Sequence, residues 1–440
     1  MFPGRASGIW RGARWFGAPR WVVALAALWV ASCGAQGPPD PTLAVPSRSS
    51  TNAAAIERGA RLAALGNCAG CHSPPDAAPY SGGLAMQTPF GTLYSSNITP
   101  SADGLGGWNL EQFERAMRQG VSRDGHRLYP AFPFDHYTRL SASDMSDLYA
   151  FAMTRTPVAG RPPPNALRFP YNVRPLLLGW DLLFLDRAPF QPTPGASATW
   201  NRGAYLADAL AHCSACHSPR NALGAERAPF EGGHAEGWYA PPLNAASPSP
   251  TPWTVAAMTE YLRTGLAPGH AMAGGPMQSV TAALAQVDPA DVEAIATYVV
   301  GMMGPATPAT DARAAAARQR TRSPWPAPGT DPQQALGAAV YANTCAGCHD
   351  LGRGRSSASA LQMPLAVAVH DADPRSLLRI VREGIAPREG SAGRIMPAFG
   401  SALTDAQLTA LAAWLRHAAA GAPPWPDLAD AVRETRGPAP

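Results

Sequence analysis

Three five-residue stretches constrain this chain more than anything else in it: CAGCH at 68–72, CSACH at 213–217 and CAGCH at 345–349, at intervals of 145 and 132 residues. They hold six of the seven cysteines. Two intervening residues make a poor structural disulfide, and a disulfide gives no reason for the histidine that follows each time. Zinc would need a further close set of Cys or His ligands, which none of the three stretches has nearby. Covalent porphyrin attachment accounts for the whole motif. Two thiols one helical turn apart add to two vinyl groups, and the next side chain faces the iron as an imidazole. The sequence therefore predicts three covalent haems c, attached at Cys68 and Cys71, Cys213 and Cys216, and Cys345 and Cys348, with His72, His217 and His349 as iron ligands.

Each motif sits in a larger repeat. Helical patterns precede it: IERGARLAALGN, WNRGAYLADALAH and ALGAAVYANT. A second helix, bearing Trp108/Phe113, Trp253/Tyr261 or Leu377/Leu378, ends at Gly120, Gly265 or Gly384. After a Gly/Pro-rich loop a third helix opens on Ser, Thr or Asp beside an acid, at 141–153, 288–300 and 404–416, with apolar residues every three or four positions. This is the class I cytochrome c plan, so the expected fold is all-α: three tandem class I cytochrome c domains at 53–159, 197–304 and 332–420. Linkers are expected at 34–52, 160–196 and 305–331, and a tail at 421–440. The 42 glycines and 47 prolines, about a fifth of the chain, fit domains whose cores are filled largely by the cofactor. One apolar run in the second linker, RPLLLGWDLLFLD at 174–186, is too short to cross a membrane. It reads as a packed connecting helix, with a docking or membrane-surface face as the alternative.

An electron carrier needs a sixth iron ligand. Met277 and Met396 lie in loops leading into the third helix of their domains and are expected to fill that role; Met272 and Met363 are further methionines nearby. In the first domain the comparable place reads Ala131-Phe132-Pro133, and Phe132 cannot ligate. His136, His126, Met117 and Met145 are the candidates there. His136 lies eight residues before Asp144, close to the nine between Met396 and Asp405, and is the expected ligand. A bis-histidine first haem would have a lower potential than its Met-ligated neighbours.

The N-terminus reads as export. Four arginines and no acid accompany the apolar run WVVALAALWVAS at 21–32, followed by Cys33. VASC is similar to a bacterial lipoprotein cleavage site, so residues 1–33 are expected to be a signal ending at an acylated Cys33 on the periplasmic side of the membrane. The chain has no lysine, and beyond residue 32 its arginines and acids balance, which gives no footprint for nucleic acid.

The stretches YSSNITPSADGLGGWNLEQFERAMRQGVSRDG at 94–125, WNRGAYLADALAHCSACHSPRNALGAE at 200–226, GPM at 275–277 and IMPAFG at 395–400 resemble the triple-haem cytochrome c subunits of periplasmic, membrane-associated bacterial dehydrogenases. The resemblance covers about nine tenths of the chain. It implies a subunit without a substrate site, passing electrons from a catalytic subunit to ubiquinone or a terminal oxidase. Two kinds of partner occur: a molybdenum hydroxylase with an iron–sulfur subunit, acting on aldehydes or N-heterocycles, and a quinoprotein alcohol dehydrogenase carrying pyrroloquinoline quinone. The latter group tends to keep methionine in its LYPAMPY loop. LYPAFPFDHY here, and the ending PPWPDLADAVRETRG, resemble the molybdenum group. The competing class is a stand-alone haem enzyme, which would need an open iron position and an acid–base group beside it; only the first haem offers room for that.

Overall fold

The computed structural model describes residues 52–350, 360–387 and 396–437. It is mostly helical, with three small antiparallel strand groups: Ala85–Thr88 with Gly91–Tyr94 and Ala166–Leu167, Gly233–Ala235 with Trp238–Ala240, and Leu266–Ala267 with Ala271–Met272. The first domain is built on α1 (Ala53–Leu65), α2 (Leu110–Gln119) and α3 (Ala142–Ala152). Helix α4 (Leu177–Phe184) follows in the second linker. The second domain uses α5 (Ala198–Tyr205), α6 (Val255–Thr264) and α7 (Pro289–Met303); α8 (Pro308–Arg322) follows it, and the third domain uses α9 (Pro332–Val340), α10 (Arg375–Glu383), α11 (Asp405–Ala420) and α12 (Leu428–Glu434).

Local chemistry sets the ends of these helices. Ser141, Asp288 and Thr404 cap α3, α7 and α11 by accepting from backbone N–H groups of the first turn. Gly120, Gly265 and Gly384 terminate α2, α6 and α10 with φ of 62°, 77° and 72°, a region that costs a side-chain-bearing residue dearly. In each domain the first and third helices cross at a glycine. A Cβ on Gly59 would lie 2.0 Å from the Asp147 carbonyl, on Gly203 1.9 Å from that of Ala294, and on Gly337 2.2 Å from that of Ala410. The crossing backbones therefore touch, and no side chain fits between them. Gly203→Val should force α5 from α7 and destabilise the second domain toward the upper end of about 1–3 kcal/mol. Thermal melting of the holoprotein tests this; an unchanged Tm would mean the helices have slack.

Two segments differ from the sequence reading. The third linker is not plain coil: α8 opens with a Thr307–Thr310 capping box and buries Ala314 and Ala317. The tail is part of the third domain, because Trp425, Leu428, Ala431 and Val432 are buried in its core. Trp425 also donates to the Asp371 carbonyl at 2.8 Å. The first two domains share one continuous core, from Leu62 and Met145 through Leu206 and Leu210 to Ile295, while the third has its own around Tyr341, Leu378 and Leu411.

Candidate haem sites

The three motif histidines are held alike. Nδ1 of His72 lies 2.6 Å from the Ser96 carbonyl, that of His217 2.7 Å from Pro241, and that of His349 2.7 Å from Leu361. A carbonyl can only accept, so Nδ1 carries the proton and Nε2 keeps the lone pair. This is how proteins fix and orient a metal-binding imidazole. Burial also lowers the His72 and His217 pKa, despite the bonds to Ser96 and Pro241, and so favours the neutral ring that a metal needs.

The cysteines complete the fit. None of the six is in a disulfide. Cys71 and Cys216 are exposed, yet desolvation pushes both thiols up to about 11. Burial likewise raises Cys68 and Cys213 to about 12. Side chains that solvent can reach but protein still surrounds line recesses, not convex surface. Recessed thiol pairs beside an imidazole with its Nε2 bare are the donor set that covalent haem requires.

The distal sides repeat less faithfully. After each terminating glycine the chain makes an antiparallel bridge: Val121 with Arg127, Leu266 with Met272, Ile385 with Met396. Leu128 N–H then donates to the Gly120 carbonyl and Ala273 N–H to that of Gly265, which puts Phe132 and Met277 on the same register. Met277 is half-buried at the start of the helix Pro276–Leu284. Its approach is fixed by Gly275, at φ 52°, pressed on the Trp238 ring. Met396, also half-buried, lies in the bridge itself, where Met272 lies in the second domain.

His136 departs from expectation. It is buried on the short helix Phe134–Tyr137, but both ring nitrogens are taken by the second domain. Nδ1 lies 2.8 Å from the Asp208 carbonyl and Nε2 2.7 Å from Glu226 Oε1. An imidazole so engaged has no nitrogen left for iron, so the structure does not support a bis-histidine first haem in this arrangement. The next residue, Tyr137, is the one turned toward the first motif, whose Cys68 and Cys71 charges help to raise its pKa beyond the effect of burial. The alternatives fare no better. His126 is exposed beside Asp124, while Met117 and Met145 are buried in helices α2 and α3.

Glu226 and Asp208 carried no sequence signal, since what matters in them is a partner 90 or 72 residues away. The same is true of Glu236. Its charge acts on both Cys71 and Cys216, and the charge of Cys71 acts on Cys216. The first two motifs therefore lie near each other at the domain junction. His212, just before Cys213, sits edge-on to Tyr137 in the same junction, and burial pushes its pKa down to about 4. Cys33 lies outside the described residues.

Repeated Cys-x-x-Cys-His turns in helical domains of this plan define a multidomain cytochrome c. Residues 56–156 and 201–302 match the family model for cytochrome c, and 332–415 that for cytochrome c oxidase, cbb3-type, subunit III. The fructose dehydrogenase cytochrome subunit of Gluconobacter japonicus is 34% identical over 83% of this chain and 80% of its own length. The cytochrome c subunit of the quinone-dependent alcohol dehydrogenase of Gluconobacter oxydans is 31% identical over 82% and 78%. A nicotinate dehydrogenase subunit of Pseudomonas putida is 43% identical over 96% of this chain, which spans only 34% of that protein's length. The chain belongs to the family of haem c-carrying, electron-transferring cytochrome subunits of bacterial dehydrogenases.

Proposed function

We propose that this chain carries three haems c and relays electrons from a periplasmic molybdenum hydroxylase with an iron–sulfur subunit to ubiquinone or a terminal oxidase. The observation that carries the haem count is the threefold Nδ1–carbonyl bond on a histidine that follows a pair of cysteines outside any disulfide. Haem supplies one-electron ferric/ferrous chemistry. The chain's part is to bind, orient and shield: the six motif cysteines would fix the rings, His72, His217 and His349 would offer Nε2 as a ligand, and Met277 and Met396 would supply a thioether in the second and third domains. Thioether ligation would raise those two potentials. The first site has no such methionine, because Phe132 stands on the register of Met277. Neighbouring motifs in the first two domains would favour rapid transfer between haems held there, since tunnelling falls steeply with separation. Acylation at Cys33 would hold the chain at the membrane.

The molybdenum partner is favoured by the 43% identity to the nicotinate dehydrogenase protein, against 31% for the alcohol dehydrogenase subunit, and by Phe132. In the purified complex, N-heterocycles or aldehydes are expected to bleach the oxidised haem spectrum and ethanol is not; the reverse result transfers the chain to a quinoprotein. A second reading, a haem enzyme with an open first site, draws on the same Phe132 and on the engaged His136. The purified chain alone should turn over neither peroxide nor small thiols; steady turnover of either would favour that second reading.

A further inference from the structure

Helix α4 is built inside out. Its polar and amphipathic residues point inward. Asp181 is buried in an ion pair with Arg127, and Trp180 is buried, donating to the Leu223 carbonyl at 3.1 Å and meeting Phe134 edge-on at 5.9 Å. Its leucines point out: Leu182 is 76% exposed and Leu183 70%. Of the nine large apolar side chains exposed among the described residues, seven lie between 169 and 183, including Phe169, Leu176 and Leu178. An eighth is Leu223, whose carbonyl holds Trp180. A soluble helix puts charge on its outer face, and a contiguous apolar patch of this kind marks an interaction site.

We propose that this patch seats on a lipid bilayer. The centre of the patch is leucine and phenylalanine, side chains without a hydrogen-bonding group, which suits a solvent that offers no partner. Exposed Arg168 and Arg187 stand at its two ends in sequence, as cations do on helices that lie in the headgroup region. The third argument is the chain's length, and it rests on the anchor reading above. From Cys33 to Asn52 there are 19 residues, at most about 65 Å when extended. A first domain about 35 Å across, tethered that closely, can bring any face to the membrane. Tethering raises the effective concentration of a patch too weak to bind alone. Behind α4 stand Phe134 of the first domain and Ala225 of the second. Seating here would set the packed join of Phe134 and Ala225, from the first two domains, against the bilayer side.

The test uses the mature holoprotein with Leu182→Cys, or with Ala312→Cys as a control at an exposed position of α8, in phosphatidylethanolamine–phosphatidylglycerol vesicles. Labelling of residue 182 by a water-soluble maleimide is expected to slow about tenfold on adding vesicles, and labelling of residue 312 to stay unchanged. Leu178→Glu/Leu183→Glu in the Leu182→Cys background should abolish the protection. Equal labelling with and without vesicles overturns the proposal. So does protection that appears only when the catalytic dehydrogenase is added, which would make the patch a protein dock. The mass of the mature N-terminus reports the anchor independently: an unacylated chain whose residue 182 is still protected removes the tether and keeps the seat.

Discussion

On the proposed count of three haems, replacing Cys345 and Cys348 by alanine is expected to remove one and leave the other two with native spectra. Replacing Cys213 and Cys216 is expected to cost more than the single haem deleted. The difference follows from the cores. Tyr341, Leu378, Leu411 and Trp414 form a cluster separate from the rest, so collapse of the third domain stays local. The contacts of the third domain with the second include hydrogen bonds to backbone, Ser376 Oγ with the Tyr239 carbonyl at 2.7 Å and Arg379 Nε with that of Gly237 at 2.7 Å. The first and second domains instead share one apolar cluster that includes Leu65, Leu206 and Leu210. Removing the cofactor that fills one side of a shared core leaves a cavity both must absorb, and even one lost large side chain costs about 3–5 kcal/mol. Pyridine haemochrome quantitation per chain, with separate melting transitions, distinguishes the cases. Equal losses from the two variants would show that the domains fold independently.

His136→Ala is expected to weaken the join between the first two domains by about 3 kcal/mol while leaving the first haem's spectrum unchanged. Breaking a buried ion pair costs about 3–5 kcal/mol. The lower end applies because Glu226 keeps Ser214 Oγ at 2.9 Å and has Arg220 at 4.0 Å. Glu226→Gln keeps an acceptor for the ring N–H and should cost less, about 1 kcal/mol. The pair also has a pH signature. Burial opposes the imidazolium, but the bond to Glu226 and the charges of Asp135 and Glu226 outweigh it and hold His136 above its ordinary 6.5. Burial opposes the Glu226 carboxylate too, but the bond to and charge of His136, the Ser214 hydroxyl and the Arg220 charge together outweigh it and hold Glu226 below its ordinary 4.5. A raised histidine stabilises fully below its unfolded value and loses this as pH rises through the folded one. A lowered carboxylate stabilises above its unfolded value and loses this as pH falls through the folded one. The join should therefore be strongest between 4.5 and 6.5 and weaken on both sides; His136→Ala should lose the alkaline limb and keep part of the acid one, since Ser214 and Arg220 still face Glu226. Denaturant melts across pH measure it. A high-spin signal from the first haem in His136→Ala would instead show that the ring turns to iron.

The sequence alone determined what is written in short-range chemistry. Cys-x-x-Cys-His reads as one helical turn, so the short helices that carry His72, His217 and His349 were legible before any fold was known. The helix ends at Gly120, Gly265 and Gly384 and the caps at Ser141, Asp288 and Thr404 were legible for the same reason, since cap and stop signals act within four residues. Only the tertiary structure decided matters that join distant parts of the chain. Spacing put His136 near a ligand position, but which way a ring points depends on what packs beside it, and Glu226 lies 90 residues on. The tail became core because Trp425 and Val432 found the third domain's surface, a gain no local pattern reports. Helix α4 was apolar in either reading. Whether its leucines were covered depended on which side Asp181 and Trp180 took, and Arg127 and Leu223, from two other segments of the chain, settled that.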